Sequence, residues 1–166
     1  MPGRPVRIGV VSDTHNNLKN VARIVELFNS AGVERVIHTG DISQAKTLDV
    51  LARLEAPMVG VYGNNDVERE TLDAAMARHR FEFVEPPLRL HWHQRRIIVV
   101  HDPLEFDGHL DGGDELALHG HTHLYRHERR GQTLIYNPGE CAGMMRGFNA
   151  IGVVNLETLD TELLKF

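Results

Sequence analysis

A chain of 166 residues with 42% apolar and 25% charged residues can bury a core of its own, and it has the balance of a globular domain rather than of a disordered, collagenous or coiled-coil chain. Its formal net charge of -5 comes with no basic run, since Arg95-Arg96 is only a pair and Glu128 interrupts Arg126–Arg130, so a long nucleic acid is not an expected partner. One cysteine, Cys141, excludes an intramolecular disulfide; Met1-Pro2-Gly3-Arg4-Pro5 carries no apolar signal stretch, and no run reaches membrane-spanning length, so the expectation is a cytoplasmic protein with no membrane partner.

The first element is the apolar run Ile8 to Val11, a buried strand that ends in Ser12-Asp13-Thr14-His15. Asn16-Asn17 offers a helix N-cap, Leu18, Val21, Ile24, Val25 and Phe28 recur at helical spacing, and Gly32 supplies the stop. Val33 to His38 reads as the second strand, ending in Thr39-Gly40-Asp41. Ser43 opens a second helix through Leu48, Leu51 and Leu54. Pro57 to Tyr62 reads as the third strand, ending in Gly63-Asn64-Asn65-Asp66, and a third helix runs from about Val67 to His79. Alternating strands and helices predict parallel strands joined by right-handed crossovers. The second half is strand-rich: Phe81 to Val84, a hairpin of Leu88 to Trp92 with Ile97 to His101, then Glu115 to His119, Thr133 to Tyr136, Ala150 to Leu156 and Glu162 to Phe166. No linker or repeat divides the chain. The predicted fold is α/β (α+β): one domain over 1–166, built as two packed sheets with helices outside.

Polar residues fall at strand ends. Asp13 and His15 are two apart, which on extended backbone puts them on one side; together they can grip a metal ion or simply cap the following turn. Asp13 to Asp41 is 28 residues, about one β-α-β unit, and Asp41 to Asn64 is 23, so these residues share the sheet edge where α/β proteins place ligands. Gly40 and Gly63 precede them and allow close backbone approach. His101 ends another apolar run, and His121 and His123 repeat the two-residue spacing. The chain holds 11 histidines, and position reads four of them, His15, His101, His121 and His123, as ligands. Seven oxygen and nitrogen side chains thus gather: Asp13, His15, Asp41, Asn64, His101, His121 and His123. Two ions sharing Asp41 would use them all. Carboxylate, amide and imidazole donors suit Mn²⁺ first, with Fe, Ni²⁺, Zn²⁺ or Co²⁺ also compatible, and not a Cys-rich structural zinc site.

In order, Asp13-Thr14-His15, Gly40-Asp41, Gly63-Asn64-Asn65-Asp66, His101 and Gly120-His121-Thr122-His123 resemble the motifs of the calcineurin-like metallophosphoesterase superfamily. The small size and Asn137-Pro138-Gly139 are similar to its compact, YfcE-like phosphodiesterase subgroup. The resemblance implies a four-layer αββα sandwich of two mixed sheets flanked by helices, and two divalent metal ions. One would be held by Asp13, His15, Asp41 and His123, the other by Asp41, Asn64, His101 and His121. It implies hydrolysis of a small phosphodiester by in-line attack of a metal-bridging hydroxide, and often a dimeric or tetrameric assembly. Asp41, Asn65 and Asp66 are the residues expected to serve catalysis directly.

The chain also departs from the pattern. Asn65 stands where many relatives have a His that protonates the leaving group; Asn cannot yield a proton usefully, which favours diesters over monoesters with poor leaving groups. Asp66 is expected either to orient a ligand imidazole or to cap the third helix. Asp102 replaces a usual Gly, as an acceptor for a ligand imidazole or a turn residue. Glu140 replaces a common Ser and, near the site, would repel anions. Arg126 and Arg146 are candidate phosphate contacts, and Phe106 to Gly113 is a candidate loop over the site. Two other readings are a non-catalytic scaffold like a retromer subunit and a nuclease for short oligonucleotides.

Overall fold

The computed structural model describes residues 6–145 and 147–166; the N-terminal pentapeptide and Arg146 lie outside the described residues. The first half alternates as the periodicity predicts: β1 (Arg7–Val11), α1 (Leu18–Ala31), β2 (Arg35–His38), α2 (Ala45–Leu51), β3 (Met58–Val61) and α3 (Arg69–His79). The second half contributes β4 (Glu82–Val84), β5 (Leu88–Trp92), β6 (Arg95–Val99), a 3-10 turn (Pro103–Phe106), β7 (Leu116–Leu118), β8 (Arg126–Arg130), β9 (Thr133–Asn137), β10 (Ala150–Asn155) and β11 (Thr161–Lys165).

The caps explain the helix limits. The Asn17 side chain accepts from the Asn20 N–H, and Gly32, left-handed at φ 66°, returns its N–H to the Phe28 and Asn29 carbonyls. The second helix starts at Ala45 rather than Ser43 because Ser43 sits at φ 72°, outside helical backbone. The third starts at Arg69 rather than Val67, after Glu68 at the N-cap.

The larger sheet has the order β11-β10-β1-β2-β3-β4 and the smaller one β5-β6-β7-β9-β8. β1 to β4 run parallel, as do β6, β7 and β9, while β10, β11, β5 and β8 join antiparallel. Both sheets are therefore mixed, and the sandwich class stands. The sheets meet through Ile8, Val10, Ile37 and Val61 on one side and Ile97, Val99, Leu116, Leu118 and Leu134 on the other. Burying each such side chain is worth about 1.5–3 kcal/mol. Alternate residues of the larger sheet, among them Val11, Val36 and Met58, face the helices and pack with Val21, Ile24, Phe28 and Leu48.

The fourth layer is thin. Over the outer face of the smaller sheet, Ile98, Val100, Ala117 and Ile135 are covered by Phe106 of the 3-10 turn and by Leu110. The stretch Phe106 to Gly113 thus packs outside that sheet rather than over the strand ends where the candidate ligands lie, because its two apolar residues find their burial there.

Candidate metal centre

The parallel strands carry the seven candidate ligands to one place. Asp13 and His15 follow β1, Asp41 follows β2, Asn64 follows β3, His101 follows β6, and His121 and His123 follow β7. Backbone bonds lock the ends together: Asp13 N–H to the Gly40 carbonyl (3.1 Å), His15 N–H to the Asp41 carbonyl (2.8 Å) and Gly120 N–H to the His101 carbonyl (2.9 Å). The two sheets are joined directly, since the His121 N–H donates to Asp13 Oδ2 at 3.0 Å. Asp13, His15, Asp41, His121 and His123 all have positive φ, between 46° and 70°. Such backbone is uncommon for non-glycine residues and concentrates at functional sites. The turn before Asp41 needs Gly40, at φ 110°, where a Cβ would lie 2.7 Å from His101 Nδ1. A Cβ on Gly63 would collide with the Asp41 carboxylate.

All seven side chains converge. Asp41 Oδ2 lies 3.4 Å from His101 Nε2 and 3.7 Å from His15 Nε2. Asp13 Oδ1 lies 3.6 Å from His123 Nε2. Asn64 Oδ1 lies 2.9 Å from His101 Nε2 and 3.2 Å from His121 Nδ1, and those two ring nitrogens are 3.3 Å apart. Two groups have donor atoms mutually within 4.8 Å: Asp13, His15 and His123, and Asp13, Asp41 and His101. Asp13 belongs to both, and Asp41 touches one imidazole of each half. Asp13, Asp41 and His101 form a buried floor, whereas Asn64, His121 and His123 are exposed at the mouth.

The floor fits divalent cations. Asp13 Oδ1 is buried with no hydrogen-bond partner, an expensive state for a carboxylate oxygen unless a cation meets it. Burial holds the Asp13 carboxyl above its ordinary range, against the Ser12 hydroxyl that donates to it. Burial also works to raise Asp41, but the hydrogen bonds from His101 and Asn65 outweigh it and hold that carboxyl below the usual range. His101 is raised to about 9: burial opposes its charge, and the bond to Asp41 more than compensates. Its Nδ1–H donates to the Thr39 carbonyl at 2.9 Å, which turns Nε2 toward Asp41 and Asn64.

The neighbours take roles the sequence left open. Asp66 neither caps α3 nor orients a ring. Its carboxylate accepts the N–H groups of Asp41, Ile42, Ser43 and Gly63 at 2.6–2.9 Å, clamping the Asp41 loop to the Asn64 loop. Asn65 gives both its backbone and side-chain N–H to Asp41, at 3.0 and 2.9 Å. Asp102 does two things: Oδ1 caps the 3-10 turn through the Leu104 N–H, and Oδ2 lies 3.7 Å from His121 Nε2. Glu140 Oε2 accepts from His123 Nδ1 at 2.8 Å. Buried His38 accepts the Gly40 N–H at Nδ1 and donates to the Thr14 hydroxyl, so it packs and also ties two ligand loops. Arg126 points elsewhere, to His119 and Glu128, and so does not serve as the expected phosphate contact. Arg146 lies outside the described residues. Buried Cys141, its thiol pushed up by burial, bonds the Ala150 carbonyl.

A cleft of about 590 Å³ opens from Asn64, His101 and His121 toward Asp102, Glu105 and Arg69. Arg69 escaped the sequence reading, since its one signal is its place three residues after Asp66. Its guanidinium stacks on Tyr62 at 3.8 Å, donates to the Asp66 carbonyl at 2.6 Å and pairs with Glu85.

Comparison with known proteins agrees with this arrangement. The model of the calcineurin-like phosphoesterase superfamily domain matches residues 6–160. Phosphodiesterase MJ0936 of Methanocaldococcus jannaschii is 31% identical over 162 residues, covering 92% of this chain and 94% of the relative. Phosphodiesterase YfcE of Escherichia coli is 26% identical over 155 residues, covering 81% and 78%. A solved archaeal phosphodiesterase superposes with a TM-score of 0.87 at 29% identity, over 96% of this chain and 99% of that one. Vps29 of Entamoeba histolytica shares the fold, with a TM-score of 0.67 at 15% identity over 96% and 99%.

Proposed function

Because the chain belongs to the calcineurin-like phosphoesterase superfamily, we propose that it is a dinuclear metal-dependent phosphodiesterase, a single domain over 1–166 that hydrolyses small phosphodiesters. The observation that carries the reading is the convergence of all seven candidate ligands on a floor where Asp13 Oδ1 is buried without a partner. Asp13, His15, Asp41 and His123 would hold one ion, and Asp41, Asn64, His101 and His121 the other. Mn²⁺ is the leading choice, and Fe, Ni²⁺, Zn²⁺ or Co²⁺ also suit the donors. When bound, such a pair supplies an activated water and neutralises charge on phosphorus.

The chain's own residues do the rest. Asp41 stands between His15 and His101, where one carboxylate can serve both ion positions. Asp66 fixes the Asp41 backbone through its bonds to three consecutive N–H groups of that loop. Asn65 orients the Asp41 carboxylate and offers no proton for a leaving group, which favours diesters and activated esters. The cleft beside Asn64 and His121 has room for the second ester arm. Glu85, Asp102 and Glu105 line that wall with Arg69 as its one cation among the described residues, already paired with Glu85, which suits a small substrate rather than a long polyanionic strand.

No helix among the described residues is long and apolar enough to cross a membrane, and a cytoplasmic location fits the single Cys. The scaffold reading rests on a likeness to Vps29 that extends to the fold alone, and the intact ligand set favours an enzyme. The test is hydrolysis of a chromogenic phosphodiester with Mn²⁺ added. The wild-type protein should be active, and Asp41→Asn should lose at least about 100-fold, in keeping with the cost of removing a key electrostatic group. Full activity in Asp41→Asn would overturn the shared-carboxylate reading.

A further inference from the structure

Each candidate imidazole can be judged by what holds its far nitrogen. His101 Nδ1 meets the Thr39 carbonyl in the buried floor, and His15 Nδ1 meets the Ser43 hydroxyl at 3.2 Å. His121 Nε2 faces Asp102 Oδ2 at 3.7 Å, too long for a hydrogen bond, and Asp102 is already engaged in capping the 3-10 turn. His123 differs from all three. Its Nδ1 lies 2.8 Å from Glu140 Oε2, a hydrogen bond to a full carboxylate. A carboxylate only accepts, so Nδ1 carries a hydrogen, and Nε2 is the nitrogen left facing Asp13 Oδ1, 3.6 Å away, where its lone pair would meet a bound cation.

The need for such a hold is local. The His123 side chain is 39% exposed at the mouth of the site. Packing alone leaves an exposed ring free to rotate, whereas buried His101 is confined. Glu140 is well fixed for the task. The Gly139 N–H donates to Asn137 Oδ1 at 3.0 Å, and the Glu140 carbonyl accepts the Ala150 N–H at 3.1 Å. Asn137 Nδ2 also donates to the Thr122 hydroxyl at 3.3 Å, tying the Glu140 turn to the loop that carries His121 and His123.

From this geometry we infer that Glu140 is a positioning residue that holds His123 with Nε2 facing Asp13 and so tightens the grip of Asp13, His15 and His123 on a divalent ion. The inference rests on the metal-centre reading above. It also changes what Glu140 means in the sequence: the carboxylate is turned to an imidazole behind the site rather than left free to repel substrate. Carboxylate–imidazole pairs of this kind typically change metal affinity 10- to 100-fold when broken.

The test compares the metal-stripped full chain with Glu140→Ala and Glu140→Gln, by calorimetric titration with Mn²⁺ and by long-range proton–nitrogen spectra of the imidazoles before metal is added. Wild-type protein should bind two ions and show His123 in the Nδ1–H form. Glu140→Ala should weaken one binding step about 10- to 100-fold, spare the other, and lose the tautomer preference. Glu140→Gln, whose amide oxygen still accepts from Nδ1, should fall between. Unchanged binding in Glu140→Ala, or a His123 with its hydrogen on Nε2 alone in the wild type, would overturn the inference. Wild-type protein that takes up no Mn²⁺ refutes the metal-centre reading and this inference together. Two bound ions with no ester hydrolysis, and a weakened step in Glu140→Ala, uphold the inference while refuting the phosphodiesterase reading.

Discussion

His38 shows how far a single residue's meaning depends on what folds around it. It ends β2 three residues before Asp41 and is fully buried between the Gly40 N–H and the Thr14 hydroxyl. Burial pushes the ring down to about 3 from an ordinary 6.5. Below pH 6.5 the unfolded chain takes up a proton that the folded chain refuses, so the unfolded state binds more protons and stability falls with pH. The loss is absent above 6.5, accumulates between 6.5 and 3, and approaches about 1.4 kcal/mol per pH unit within that window. Urea midpoints of the metal-free protein at pH 7.5, 5.5 and 4.5 should therefore fall more steeply for wild type than for His38→Gln. Equal slopes would contradict the buried neutral ring. The seven candidate ligands were legible in the sequence because each follows an apolar run with its own spacing. The partners of Asp66 were not, since three of its four N–H donors, Asp41, Ile42 and Ser43, lie 23 to 25 residues before it in another loop, and only the packed sheet brings them to one carboxylate.

Among the elements, α1 and β1 carry the clearest sequence signal, and they meet in one close contact. The Phe28 ring lies flat against the backbone of Gly9, where an added Cβ would stand 2.8 Å from Cδ1. Gly9→Ala overfills that contact in the middle of a strand paired on both sides. It should destabilise the protein by about 1–3 kcal/mol, read as a lower urea midpoint with unchanged Mn²⁺ stoichiometry. A midpoint equal to wild type would show that the ring has room to shift. β8, by contrast, gave no signal in the sequence. Arg126–Arg130 is a charged stretch with no apolar alternation, and as the outer strand beside β9 it forms on backbone pairing rather than on burial. The helix starts at Ser43 and Val67 were placed too early for a related reason. The residues there serve the loops of the site, with Ser43 at φ 72° giving its N–H to Asp66.

At the scale of the whole molecule, the decisive event is the meeting of two sheets. The β-α-β alternation made β1, β2 and β3 parallel neighbours in advance. The placement of β7 between β6 and β9, and of β4 on the larger sheet, depends on long-range pairing that local pattern does not encode. That pairing is what sets His101, His121 and His123 opposite Asp13 and Asp41, on a chain of net charge -5 that offers no basic track for a long strand. The central claim is that this junction needs two divalent ions in order to cleave a phosphodiester. The most direct measurement is the rate of chromogenic diester hydrolysis as metal-stripped protein is titrated with Mn²⁺. Hydrolysis should be absent without metal, rise with added ion and level off at two equivalents per chain. A rate indifferent to metal, or a stripped protein that stays inactive with every divalent ion supplied, would contradict the claim.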